Sequence, residues 1–187
     1  MGRTCSLSAA NVLLLIDSDM HPYVMMLDSS PFILSTTIRE NLDPFNEYSD
    51  ELLRKSLELT GLWDDLAVEE HLDSQEQLRR KLSFKIVEEG KNLNLGQKQL
   101  INMARAYLRQ PRVLLRDYAT SSVSLVQRRL LREMTFNEFP STTVIISSQD
   151  MITYLKCDQV VNIHNGSVME VGNPRILYQN PASVFRR

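Results

Sequence analysis

Cysteine is nearly absent. The 187 residues hold two, Cys5 and Cys157, far apart in the chain, so there is no disulfide framework, and the usage fits a reducing compartment. Long apolar runs are missing too. No run exceeds five residues, as at Val12–Ile16, against the ~20 needed to cross a bilayer. Asp17 and Asp19 follow that run directly, so the N-terminus does not read as a secretory signal. Neither sign of charge is in excess. Lysine plus arginine number 21 and aspartate plus glutamate 23, for a net charge of -2 and a pI near 5.9. That balance disfavours a general nucleic-acid binder, which carries a basic surplus. Histidine is scarce: His21, His71 and His164 are scattered and show no metal-ligand spacing with either cysteine. What remains is an ordinary globular composition, 43% apolar and 24% charged. It is enough for one sizeable core and excludes a disordered tail or a collagen-like repeat.

Apolar periodicity divides the chain into three parts. Residues 1–40 carry short apolar runs, Val12–Ile16, Val24–Leu27 and Phe32–Leu34, broken by Asp, Ser and Pro, and these read as strands. Residues 41–95 read as helical. Ser49 is a helix cap followed by Asp50 and Glu51, which favour the positive end of the helix dipole. Leu52, Leu53 and Leu57 recur at helical spacing, and Gly61 ends the run. Gln75–Leu82 is charged, and its Arg79-Arg80-Lys81 reads as a solvated surface because nothing aromatic is interleaved. The pairs Asp64-Asp65, Glu69-Glu70 and Glu88-Glu89 read as solvated too, since adjacent residues face different ways on a helix.

Residues 96–187 alternate helix and strand. Gln97–Arg109 carries a helical stripe stopped by Pro111. Val113-Leu114-Leu115 is a short buried strand, Leu125–Phe139 a helix, and Thr142–Ser147 a β-branched central strand. Asn165-Gly166 between two alternating runs signals a hairpin. The hairpin also accounts for the glycosylation-like Asn165-Gly166-Ser167. Strand–helix alternation closed by a hairpin predicts an α/β fold with a mostly parallel sheet.

The most specific stretch is Glu88–Leu100, which opens a helix and contains Leu93-Asn94-Leu95-Gly96-Gln97. Free N–H groups, a small residue and the dipole make such an end ready for an anion. This pentapeptide resembles the signature motif of ATP-binding cassette domains, Leu-Ser-x-Gly-Gln. Neighbouring pieces follow in the same order. Thr37-Ile38-Arg39-Glu40-Asn41-Leu42-Asp43-Pro44-Phe45 resembles the segment after the family's Q-loop, in the form typical of its C subfamily. Val113–Ser124 stands where the Walker B strand and D-loop stand. Cys157–Gly166 resembles the strand and hairpin after the switch region. The resemblance runs over residues 25–185 and is nearest to the C-terminal nucleotide-binding domain of multidrug-resistance-associated transporters. It implies an ABC-type P-loop domain with an inserted helical subdomain at about residues 45–98. It also implies ATP and Mg²⁺ as cofactors.

Most of the family's working residues differ here. Gly2-Arg3-Thr4-Cys5-Ser6-Leu7-Ser8-Ala9-Ala10 resembles a Walker A loop; its first residues also fit a loose myristoylation pattern. In that loop Cys5 and Leu7 stand for glycines of the phosphate cradle, Ser8 for the lysine, and Ala9 for the hydroxyl that holds Mg²⁺. Ser29 stands at the Q-loop glutamine. Asp117 keeps the Walker B carboxylate and is the one Mg²⁺ candidate. Tyr118 replaces the general base, and a phenol of pKa about 10 is a poor base at neutral pH. Gln149 replaces the switch histidine. The expectation is an N-terminally truncated, degenerate domain with no catalytic residue of its own. It would lend its signature turn, Leu93 to Gln97, to a partner cassette at the cytoplasmic face of a membrane, beside that partner's transmembrane domains. Two other readings stay open: a fragment of an active transporter ATPase, and a non-catalytic interaction module.

Overall fold

The computed structural model describes residues 4–7, 23–66, 72–117 and 124–186, and of Thr4–Leu7 the backbone alone. Its described residues form a six-stranded sheet, with β1 (Thr4–Leu7), β2 (Val24–Leu27), β3 (Val113–Asp117), β4 (Thr143–Ser147), β5 (Gln159–His164) and β6 (Ser167–Gly172) in the order β2-β3-β4-β1-β5-β6. The four pairings from β2 through β5 are parallel. Only β5–β6 is antiparallel, which gives the mostly parallel α/β architecture that the alternation predicts. The helices, in chain order, are α1 (Ile38–Leu42), α2 (Asp50–Thr60), α3 (Leu62–Asp65), α4 (Ser74–Leu82), α5 (Leu95–Arg109), α6 (Leu125–Asn137), α7 (Met151–Tyr154) and α8 (Pro174–Gln179).

Two compact units result. The first comprises the described residues within Met1–Ser29, Pro111–Ala119 and Thr135–Arg187 and holds the sheet. Its core is made by the inward positions of alternating strands, Leu114, Val144, Ile146 and Val160, with Leu27 and Phe139. The β5–β6 hairpin closes through Asn165 and Gly166 at φ 48° and 75°, the left-handed pair that a two-residue turn between twisted strands needs. The second unit comprises the described residues within Ser30–Gln110 and Thr120–Met134 and holds α1 to α5 and most of α6. Its bounds are wider than those of the insertion expected at about residues 45–98.

In the second unit Leu53, Ser56, Leu57 and Thr60 form one buried face of α2, and α2 packs on α5. Replacing a fully buried leucine of such a face by alanine costs about 2–5 kcal/mol. Ser49 caps α2 by accepting from the Leu52 N–H, and Gly61 ends it in the left-handed region, as the sequence predicts.

Three local expectations need correction. Phe32–Leu34 forms no strand; Ile33 is buried while Phe32 and Leu34 face outward, and the segment's backbone is held by side chains instead of a ladder. Arg79-Arg80-Lys81 is not wholly solvated. Lys81 is buried with its ammonium 4.4 Å from the Trp63 ring centroid, and it donates to the Trp63 carbonyl. Burial pushes its pKa below the usual 10.5, with Asp64 opposing. Cys5 and Leu7, expected in a loop, lie in β1, which the sheet pairs on both sides. The run Val12–Ile16, with His21, His71 and Glu69-Glu70, lies outside the described residues.

Candidate functional site

The turn Leu93 to Gln97 is built by its own side chains. Asn94 takes extended angles (φ -74°, ψ 165°) as the N-cap of α5. Its Oδ1 accepts from the Gln97 N–H at 2.9 Å, and Gln97 Oε1 accepts from the Asn94 N–H at 3.0 Å. This reciprocal capping box satisfies two backbone donors that a helix start otherwise leaves open. Leu93 is buried and anchors the turn, whereas Asn94 is exposed. Leu95 is half-buried. The approach to the turn is fixed as well. Asn92 accepts from the Val87 N–H and donates to the Lys85 carbonyl. Lys98 donates to the Glu89 carbonyl at 2.9 Å.

No acidic residue sits in the first turn of α5, so its own side chains leave the positive end of the dipole uncancelled there. Gly96, however, is buried. A Cβ at that position would lie 2.2 Å from Gln127 Oε1. The glycine therefore admits the side chain of Gln127 from α6.

A second constellation lies in the same unit and was not singled out by sequence reasoning. Arg105, three turns along α5, spreads its guanidinium over the chain at residues 32–42. Its Nε donates to the Asn41 carbonyl at 2.6 Å, its Nη1 to the Phe32 carbonyl at 2.7 Å, and its Nη2 to Asn41 Oδ1 at 2.8 Å. Asn41 is buried; it accepts from the Leu34 N–H and donates to the carbonyls of Leu34 and Thr37. Asp43 accepts from the N–H groups of Glu47 and Tyr48, each at 2.9 Å. The Asn and Asp of Asn41-Leu42-Asp43 thus replace a missing ladder, which is why these two residue types stand at that spacing. Burial, with Arg109 adding like charge, pushes Arg105 down to about 10.

In the first unit, the parallel strands bring the remaining candidates to one edge. Ser29 follows β2, Asp117 ends β3 opposite Ser147, and Gln149 follows β4. Ligand sites of parallel sheets form beyond such carboxyl ends. Ser29 Oγ donates to Asp28. Asp117 and Gln149 are exposed. Arg116, just before Asp117, is buried and donates to Thr135 Oγ1. Gly2, Ser8, Ala9 and Tyr118 lie outside the described residues.

The fit of this edge to Mg²⁺ and nucleotide phosphate is incomplete. Asp117 alone is the kind of single carboxylate that Mg²⁺ uses together with substrate phosphates. Among the described residues no three His, Cys, Asp or Glu side chains gather to hold a metal ion. The backbone at Cys5 and Leu7 is committed to ladders with β4 and β5, so it does not form the nest of outward N–H groups that cradles phosphate.

No family model matches the chain. Similarity to curated proteins is extensive. Over 167 residues, 89% of this chain and 10% of the relative, it is 35% identical to ATP-binding cassette sub-family C member 2 of Homo sapiens. It is 34% identical to multidrug resistance protein mrp-7 of Caenorhabditis elegans over 169 residues, 90% of this chain and 10% of the relative. It is 33% identical to ABC transporter C family member 12 of Dictyostelium discoideum over 162 residues, 87% of this chain and 12% of the relative. The chain spans about a tenth of the length of the curated relatives it matches.

Proposed function

We propose that this chain, a homologue of the C-subfamily ATP-binding cassette transporters over some nine tenths of its length, is a nucleotide-binding-type domain of ATP-driven transport. In this reading its own ATP site is non-hydrolytic, and it lends its signature turn to a partner cassette. The observation that carries the reading is the contrast between two half-sites. The turn from Leu93 to Gln97 is capped at both its hydrogen-bonding ends. The sheet edge, by contrast, offers Ser29, Asp117 and Gln149, and the sequence continues from Asp117 into Tyr118 where a carboxylate base would be needed. Resemblance to the C-terminal domain of those transporters belongs to the same proposal.

The homology supports a partner and a place within this reading. The partner is a second cassette whose ATP receives the N-terminus of α5, with the transmembrane domains that such a cassette drives. The domain then stands at the cytoplasmic face of a membrane. Among the described residues no helix is long and apolar enough to cross one.

Titration of the purified chain with Mg-ATP tests the degenerate half. Loss of the Walker lysine and cradle glycines removes several charge-assisted contacts, each worth about 1.5–3 kcal/mol, so no micromolar binding and no turnover are expected. Restoring Tyr118→Glu alone recovers no activity, because the cradle and the Gln149 position stay altered. Turnover by the purified chain that Asp117→Asn abolishes overturns the reading in favour of an active ATPase fragment.

A further inference from the structure

Gln127 contributes to the signature turn from outside the motif. A Cβ on Gly96 would lie 2.2 Å from its Oε1, 2.7 Å from its Cδ and 2.9 Å from its Nε2. The whole carboxamide is therefore seated in the notch that the missing side chain leaves. A helical Cα–Cβ bond tilts toward the N-terminus, so this notch faces the end of α5 where the first N–H groups have no intrahelical acceptor. Gly96 is buried, although the motif's chemistry asks it to be reachable.

The carboxamide is also tethered. Ser124 Oγ accepts from the Gln127 N–H at 3.2 Å and donates to Gln127 Oε1 at 3.1 Å. One hydroxyl thus holds both the backbone and the tip of the same residue. The tether is solvent-exposed, so water replaces it at little cost when the side chain leaves. A glutamine has three side-chain torsions to swing through, and among the described residues its carboxamide is held by the Ser124 hydroxyl.

Building on the reading of a lent signature turn, we propose that Gln127 is a reversible cover. Its carboxamide fills the Gly96 notch in the free chain and swings out before a partner's phosphate reaches the first-turn N–H groups of α5. The free chain is thereby held in a self-occluded state, and opening is a term in its affinity for the ATP-loaded partner.

The test has two arms on the full chain. In the first, hydrogen exchange of the Gly96 amide is followed in wild type, Gln127→Ala and Gln127→Leu, with the buried Met103 amide reporting that the fold is intact. The cover predicts exchange at Gly96 faster by about fivefold or more in Gln127→Ala, and near wild type in Gln127→Leu, which keeps a group of similar size. In the second, the chain is co-expressed with a partner cassette, and association is measured with and without Mg-ATP. Gln127→Ala strengthens the ATP-dependent association by about fivefold, equivalent to roughly 1 kcal/mol. Unchanged Gly96 exchange in Gln127→Ala overturns the cover. Faster exchange with unaltered ATP-dependent association overturns its gating role. If neither wild type nor Gln127→Ala responds to ATP while exchange quickens, the lent turn itself fails and the gate falls with it.

Discussion

Replacing Arg105 by alanine tests what holds the segment at residues 32–42 in place. Three hydrogen bonds go, but their loss is unequal. The Phe32 carbonyl belongs to a residue that is 77% exposed, so water takes over that bond. Asn41 Oδ1 keeps the Leu34 N–H as a donor. The Asn41 carbonyl, on a buried residue, is the acceptor left without its charged donor, at a cost of about 1–3 kcal/mol. Lost packing of the arginine stem adds about 1 kcal/mol. Against this, a cation pushed down to about 10 by burial and by Arg109 is removed from a poorly solvated place, which returns part of the loss. The net expectation is a destabilisation of about 2 kcal/mol. Arg105→Lys falls between, because one ammonium does not reproduce the fork. Urea unfolding followed by the fluorescence of Trp63, the single tryptophan, reads the change in the same unit. Hydrogen exchange at the Leu34 amide, which Asn41 Oδ1 accepts, reads the local effect. A midpoint shift worth less than about 0.5 kcal/mol, with Leu34 exchange unaltered, refutes the anchoring role.

Asn94→Ala removes the side-chain half of the capping box and costs about 1 kcal/mol, seen as lower urea stability and faster exchange in the first turn of α5. Gly96→Asp pushes the far end of the Gln127 side chain aside, so the free chain loses about 1 kcal/mol or less; a urea midpoint lowered by more than about 2 kcal/mol shows that the carboxamide does not yield and refutes the swing. Burial first, then Cys157 and Asp150, raise the Tyr154 pKa above its usual 10.0. The unfolded chain therefore loses that proton first, and this group's contribution to stability is intact below pH 10 and declines as pH rises past it. In Tyr154→Phe the urea midpoint falls less steeply above pH 10 than in wild type.

The sheet was the most legible part of the chain. Short apolar runs marked β2 and β3, the β-branched run Thr142–Ser147 marked β4, and the Asn165-Gly166 pair between two alternating runs marked β5, β6 and their hairpin. The helices with a polar cap, α2 and α5, were legible for the same reason: their start and stop signals are local. Phe32–Leu34 shows the limit. Its composition is that of a strand, and the distant Arg105 and the buried Asn41 supply side-chain bonds that let it stay irregular. Lys81 shows it again. A lysine in a charged run reads as solvated until Trp63 offers it a ring face and a carbonyl, and neither is signalled within its own helix.

The signature turn illustrates how a motif can be legible in letters and not in contacts. Asn94 and Gln97 carry their structural role in their spacing alone, since a side-chain acceptor at the cap and a Gln three residues on close the capping box wherever they occur. Gly96 carries no such local meaning. Glycine at a helix start is equally suited to an approaching phosphate and to an approaching side chain, and the sequence does not say which arrives. The structure assigns the free chain's answer to Gln127, thirty-one positions away. The same glycine is then required by both states: it lets the carboxamide in when the chain is alone, and it leaves room for phosphate once the carboxamide has gone. A Gly96 substitution therefore perturbs the closed and the open state together, whereas a Gln127 substitution perturbs only the closed one. That difference makes position 127, and not the motif itself, the place where occlusion and phosphate approach can be separated by experiment.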